Sequence, residues 1–329
     1  MGAICEGEYN YVFVTSTFHI GDLGGIENAD QICNERARDA GLPGTYRAYL
    51  ATSTESPEER LGSSSGWLRP DRRPFVYSRD DLVSSLIRFP LLLDEHGRLS
   101  EHVGQGLRIG STHQNCLDWT SADTSHRVPG GYVGLTVRWN EGALGQCHTE
   151  EPLYCFGIDH DAPIPPVSVG GRLAFLTRGA VSPDEGRDAA DRLCADEAAA
   201  AGLPGSFKAL VATSTEAPLD RFSLDGPTWV RTDGIPLWEK AEDARNRVPL
   251  ATLNVGADGS LVSGTRWVLI GSTALDQRGE NTCNDWSAST EDVPVNLAIA
   301  ERTINWIPSN TYTCERAKTW GARVFCLQE

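Results

Sequence analysis

The sequence predicts an α+β chain made of two copies of one disulfide-stapled domain. Landmarks spread over residues 33–156 return in the same order over 194–327. Each copy opens with a strand and a long helix before short, turn-bounded strands take over, and eight of the nine cysteines form two matched sets of four.

Residues 11–15 alternate as a half-buried strand does, and residues 173–177 repeat the pattern at the head of the second copy. Next, Ile26, Ala29, Ile32, Cys33, Ala37 and Ala40 follow helical spacing, with Gly41 as the left-handed stop. The second copy reads Ser182-Pro183-Asp184-Glu185 as a helix start, then Ala189, Leu193, Cys194, Ala198 and Ala201 up to Gly202. A Gly-Leu-Pro-Gly turn (41–44, 202–205) leads into short strands at 46–50 and 207–211, and Ala-Thr-Ser-Thr-Glu follows at 51–55 and 212–216. Trp67 to Asp71 corresponds to Trp229 to Asp233. Glu95-His96-Gly97 and Asp258-Gly259 read as hairpin turns.

Ile-Gly-Ser-Thr begins at Ile109 and Ile270. Then come Cys116-Leu117-Asp118-Trp119 and Cys283-Asn284-Asp285-Trp286, Trp139 and Trp306, Cys147 and Cys314, and Cys155 and Cys326. The first cysteine, Gly-Leu-Pro-Gly, Ala-Thr-Ser-Thr-Glu and Ile-Gly-Ser-Thr are offset by 161, Trp67 to Asp71 by 162, the landmarks from Cys116 to Cys147 by 167 and the last cysteine by 171, so only loops have changed length. Residues 160–170 hold three prolines and read as a stiff spacer between domains at 1–159 and 171–329.

The formal charge of −16 is shared: residues 1–160 carry 13 basic and 22 acidic side chains, the remainder 16 and 23. Counterion release from a polyanion needs clustered Lys and Arg, so nucleic acid, heparin-like chains and anionic membranes are poor partners for either half. Arg69, Arg72 and Arg73 are close together, but Asp71, Asp80 and Asp81 sit among them, which reads as a solvated mixed-charge loop. No apolar run approaches the roughly 18 residues of a membrane helix, and no signal peptide opens the sequence. The expectation is a mature or excised fragment, with Met1-Gly2 left from cloning and an upstream domain or anchor missing.

Zinc ribbons would show Cys-x-x-Cys pairs and redox enzymes an active-site pair; neither spacing occurs, so structural disulfides of an oxidising compartment are expected. Four cysteines per copy leave three pairings open. Cys5 is the odd one out, expected to stay unpaired within the chain or to find a partner upstream.

The ordered landmarks resemble the endostatin-like family, and more closely its bacterial branch, which includes spirochaete surface lipoproteins; Phe13-Val14-Thr15-Ser16 carries that closer likeness. The resemblance implies a C-type-lectin-like fold in each copy, a twisted antiparallel sheet with flanking helices and long loops. It implies nested disulfides: Cys33 with Cys155, Cys116 with Cys147, Cys194 with Cys326 and Cys283 with Cys314. It also implies a secreted or cell-surface protein, displayed on the outer membrane exterior, that adheres to host protein or matrix.

Within the inner pairs lie residues 117–146 and 284–313, and disulfide-anchored loops on a rigid scaffold are a usual home for recognition. Asp118, Trp119, Trp139, Asp285, Trp286 and Trp306 are the candidate ligand-binding residues; the competing reading of Asp118-Trp119 and Asp285-Trp286 is a buried indole with a carboxylate bonding a loop. The expectation is a non-enzymatic binding protein for an extracellular protein or glycan, with no cofactor. All seven histidines, His19, His96, His102, His113, His126, His148 and His160, fall in the first half and read as surface residues, so a His-dependent site cannot be common to both copies. The alternatives are a secreted hydrolase using histidine and carboxylate in the first domain, and a calcium-dependent glycan-binding lectin, although the Glu-Pro-Asn and Trp-Asn-Asp calcium motifs are absent.

Overall fold

A computed structural model describes residues 8–246, 248–264 and 266–329, so Cys5 and Met1-Gly2 lie outside the described residues. The chain divides between Pro166 and Val167 into two compact units. Each is an α+β body with two small sheets and two disulfides.

The first unit contains β1 (Asn10–Val14), β2 (Tyr46–Ala48), β3 (Trp67–Leu68), β4 (Pro74–Val76), β5 (Gly106–Arg108), β6 (Arg127–Tyr132), β7 (Ala143–Gln146) and β8 (Tyr154–Gly157). Its main sheet runs β2-β8-β1-β3-β4 and its second sheet β5-β6-β7. The second unit contains β9 (Arg172–Leu176), β10 (Phe207–Ala209), β11 (Trp229–Arg231), β12 (Trp267–Leu269), β13 (Pro294–Ile299), β14 (Thr311–Thr313) and β15 (Phe325–Gln328), with sheets β10-β15-β9-β11 and β12-β13-β14. The purely antiparallel expectation is corrected here. β1 pairs with β3, and β9 with β11, in parallel, because a long excursion through the helix returns the chain to the same end of the sheet.

β1 is buried along its whole length, not on alternate faces, since it sits between β8 and β3 with side chains covered on both sides. The helix Ile26–Asp39 buries Ala29, Cys33 and Ala37, a stripe of small residues at four-residue spacing that lets the helix lie close to the sheet. Gly41 follows with φ 72°, the left-handed stop. In the second unit the helix begins at Arg187, later than Ser182-Pro183-Asp184-Glu185 indicates. Those four residues form a turn in which Glu185 accepts from the Ser182 backbone, while Asp184 reaches Ser289 and Lys318 and is thereby unavailable as a cap. Ala190, Cys194 and Ala198 make the buried stripe, and Ala189 and Leu193 are half-buried at its edge.

The outer disulfides join Cys33 to Cys155 and Cys194 to Cys326, tying helix to β8 or β15; the inner ones join Cys116 to Cys147 and Cys283 to Cys314. Buried ion pairs repeat as well. Arg60 holds Asp30 at 2.6 Å and donates to the Ala48 carbonyl, and Arg221 holds Asp191 at 2.5 Å and donates to that of Ala209. Arg69 is buried against Asp71 and the Pro90 carbonyl, correcting the solvated-loop reading, and Arg231 repeats this with Asp233 and the Thr252 carbonyl. A guanidinium with several fixed acceptors is tolerated inside because its donors are satisfied.

The spacer is not free along its length. Ile164 is 1% exposed and its N–H donates to the Tyr77 carbonyl, whereas Val169 donates to that of Gly234, so each end is bound to its own unit. No described helix is long and apolar enough to cross a membrane.

Candidate functional site

The inner disulfide of each unit begins on a backbone feature that composition does not announce. Cys116, Leu117, Asp118 and Trp119 all have positive φ, between 51° and 64°, and Cys283 to Trp286 repeat this between 54° and 66°. Each is a single turn of left-handed helix. For L-residues that conformation costs about 1–2 kcal/mol per residue, so the surroundings must fix it.

Three contacts do so in both units. The Asp118 N–H donates to the Asn115 side chain, and the Asp285 N–H to the Thr282 hydroxyl. Each indole N–H then reaches a carbonyl of the segment that follows β2 or β10 at 2.7 Å, Trp119 to Ala51 and Trp286 to Ala212. Each carboxylate accepts from a serine of the Ala-Thr-Ser-Thr-Glu segment: Asp118 from the N–H and hydroxyl of Ser53, Asp285 from those of Ser214.

The six sequence-derived candidates therefore separate. Trp119 and Trp286 are buried and bonded into the frame, as the structural reading weighed against binding has it, while Asp118 and Asp285 bond the serine segment from half-buried and exposed positions respectively. Trp139 is also wholly buried, ringed by Tyr49, Phe75, Tyr154 and Phe156 at centroid distances of 5.1 to 6.1 Å. None of these indoles can meet a ligand without opening the core.

Trp306 differs. The residues at the positions of Tyr49, Phe75 and Phe156 are Leu210, Leu237 and Leu327, and Trp238 stands where the first unit has Val76. Trp238 takes up the volume lost with the three aromatic rings, and Trp306 packs on it at 6.5 Å and on Phe325 at 5.8 Å. Its other side stays half-exposed in an open cleft of about 200 Å³, bordered by Arg245, Asn246, Val248, Thr273 and Asn305.

The first unit has a cleft of about 370 Å³ elsewhere on its second sheet, lined by His102, Gln105, Arg127, Gln146, Thr149 and Glu151. Arg108 lies behind it, donating to the carbonyls of His19, Gln146 and Thr149 and standing 3.5 Å from Glu151. Burial pushes the Glu151 carboxyl above its ordinary value against the opposing charge of Arg108. Sequence reasoning missed this group; the separation of Arg108 from Glu151 hides it.

His102 is buried, contrary to the surface reading, and its ring N–H donates to the Gly106 carbonyl at 2.7 Å. Thr17 Oγ1 lies 2.9 Å from His19 Nε2, a hydroxyl–imidazole contact, and Ser16, Glu95 and His96 gather the residue types of a hydrolytic set. In the Ser16 group the order is wrong for hydrolysis, because Glu95 takes the Ser16 hydroxyl and backbone N–H directly while His96 stands beyond it, 3.7 Å from the carboxylate. Imidazole cannot receive the serine proton there, and the contacts clamp a loop. Among the described residues no three His, Cys, Asp or Glu side chains gather as a metal-holding group. No protein-family model and no curated protein matches the chain.

Proposed function

We propose that the chain is a non-enzymatic binding protein of the extracellular space or cell surface, built from two tandem endostatin-like domains of the C-type-lectin-like kind. It recognises an extracellular protein or glycan. The four disulfides support an oxidising compartment. One observation carries the reading: in each unit the segment spanned by the inner disulfide borders an open cleft, and the two clefts differ in chemistry while the frame beneath them repeats. A fixed frame with divergent, anchored surface is the arrangement of recognition.

The test is an array of extracellular proteins and glycans probed with the full chain and two cleft variants, Arg127→Ala/Gln146→Ala and Asn246→Ala/Asn305→Gly. The expected result is that each captured ligand is lost with one variant. Ligands that survive both variants would place recognition elsewhere and overturn the reading.

A further inference from the structure

We infer that the Trp306 cleft of the second unit is a calcium-independent site for a neutral pyranose ring, stacked on the indole and hydrogen-bonded to the amides beside it. This rests on the binding reading above and names its ligand class for one cleft.

The indole is half-exposed, and its N–H donates to no described residue; Trp67, Trp119, Trp229 and Trp286 each spend theirs on a backbone carbonyl, and that of Trp139, also without a partner, is sealed in the core where no ligand reaches it. Arg245, Asn246 and Asn305 are exposed beside it, and none of these side chains is engaged in a hydrogen bond or ion pair with a described residue. Val248, 48% exposed, extends the apolar floor. Asn305 holds φ 51°, a left-handed conformation that Asn tolerates better than most residues, and this places an amide next to the ring.

The chemistry selects the class. A flat apolar face flanked by two amides and a guanidinium matches a ring with one C–H face and a rim of hydroxyls, because an amide both donates and accepts. A cleft of about 200 Å³ is smaller than the roughly 300–1,000 Å³ of drug-sized pockets, which suits a single sugar unit. No carboxylate among the described residues borders it, so the cleft offers neither a general acid nor the charged oxygen ligands on which calcium sites are built. The net charge of −16 disfavours a polyanionic chain, leaving neutral sugars.

The experiment titrates the full, oxidised chain with neutral methyl hexopyranosides and short neutral glycans, following tryptophan fluorescence and saturation-transfer NMR with and without EDTA. The expected result is saturable binding unchanged by EDTA, weakened about tenfold or more in Trp306→Ala and largely kept in Trp306→Phe. Because Trp306 also touches the core, Asn246→Ala/Asn305→Gly serves as a second variant that leaves packing intact, and it should weaken binding as well. No saturation by any neutral sugar, or saturation unaffected by these variants, overturns the proposal. If a protein ligand from the array is lost with the same variants while sugars fail to bind, the sugar assignment falls and the binding reading stands.

Discussion

The Asp285 carboxylate accepts both the backbone N–H and the hydroxyl of Ser214, each at 2.6 Å, across 71 residues of chain. Asp118 does the same with Ser53 in the first unit. Ser214→Ala removes only the hydroxyl bond, and the carboxylate is exposed, so the expected loss is about 1 kcal/mol, below the usual range for a bond to a charged group because solvent screens it. Asp285→Ala, which removes both bonds, should cost more. Urea denaturation of the oxidised chain measures both.

The same contact sets a pH dependence. The Ser214 hydrogen bond, working against burial, holds the Asp285 carboxyl below its ordinary value of 3.8. A carboxyl lowered in the folded state stabilises the fold above its unfolded value, and that contribution is lost as pH falls through the folded one. The melting temperature should therefore drop as the pH is taken from 5 to below 3.8, and Asp285→Asn should flatten that slope. An equal slope in both proteins would show that other carboxyls control the acid transition.

The inner bridges each span 31 residues and the outer ones 122 and 132. Chain entropy then assigns about 3.7 kcal/mol to an inner bridge and about 4.9 to an outer one. Replacing Cys116 and Cys147 together by Ala should cost less than replacing Cys33 and Cys155. Denaturant midpoints of the two double variants, read by circular dichroism, give the order directly.

Ile164 belongs to the first unit. A fragment ending at Pro166 should melt cooperatively and at higher temperature than the same fragment carrying Ile164→Ala, because the variant loses most of a side chain that is 1% exposed. Deleting such a side chain costs about 2–5 kcal/mol. Identical melting curves would mean that the residue packs there without stabilising the unit.

Leu117→Gly reverses an ordinary rule. In a right-handed helix that change costs about 1 kcal/mol, but Leu117 has φ 55° and is 64% exposed. Glycine adopts this conformation freely and little packing is lost, so the variant should be neutral or more stable by up to about 1 kcal/mol. Thermal denaturation beside an exposed control, Arg38→Gly in the first helix, reads the contrast.

The strand-helix opening of each unit and the α+β class were legible because periodicity and the repeat report burial directly. The Arg60–Asp30 pair was legible in principle too, since Arg221 and Asp191 return at the same offset of 161; its signal was the repeat, not charge. Parallel pairing of β1 with β3 was not, because side-chain alternation carries no strand direction. The site was the least legible part. Trp139 and Trp306 occupy matching places in the sequence, and what separates a buried indole from a half-exposed one is three aromatic residues exchanged for leucine and one valine for tryptophan, at Leu210, Leu237, Leu327 and Trp238. Only the packed core adds those changes together.

The left-handed turns also order events during maturation. Four consecutive residues in a conformation that costs about 1–2 kcal/mol each will not hold it in a nascent chain, so Cys116 and Cys283 meet Cys147 and Cys314 in native orientation only after Ser53 and Ser214 have been carried into place by the main sheet. During oxidative refolding the inner thiols should thus remain open to alkylation after the outer ones are protected, although they are closer in sequence. On this account the shorter loop should close last, and its closure should report that the surrounding unit is already assembled.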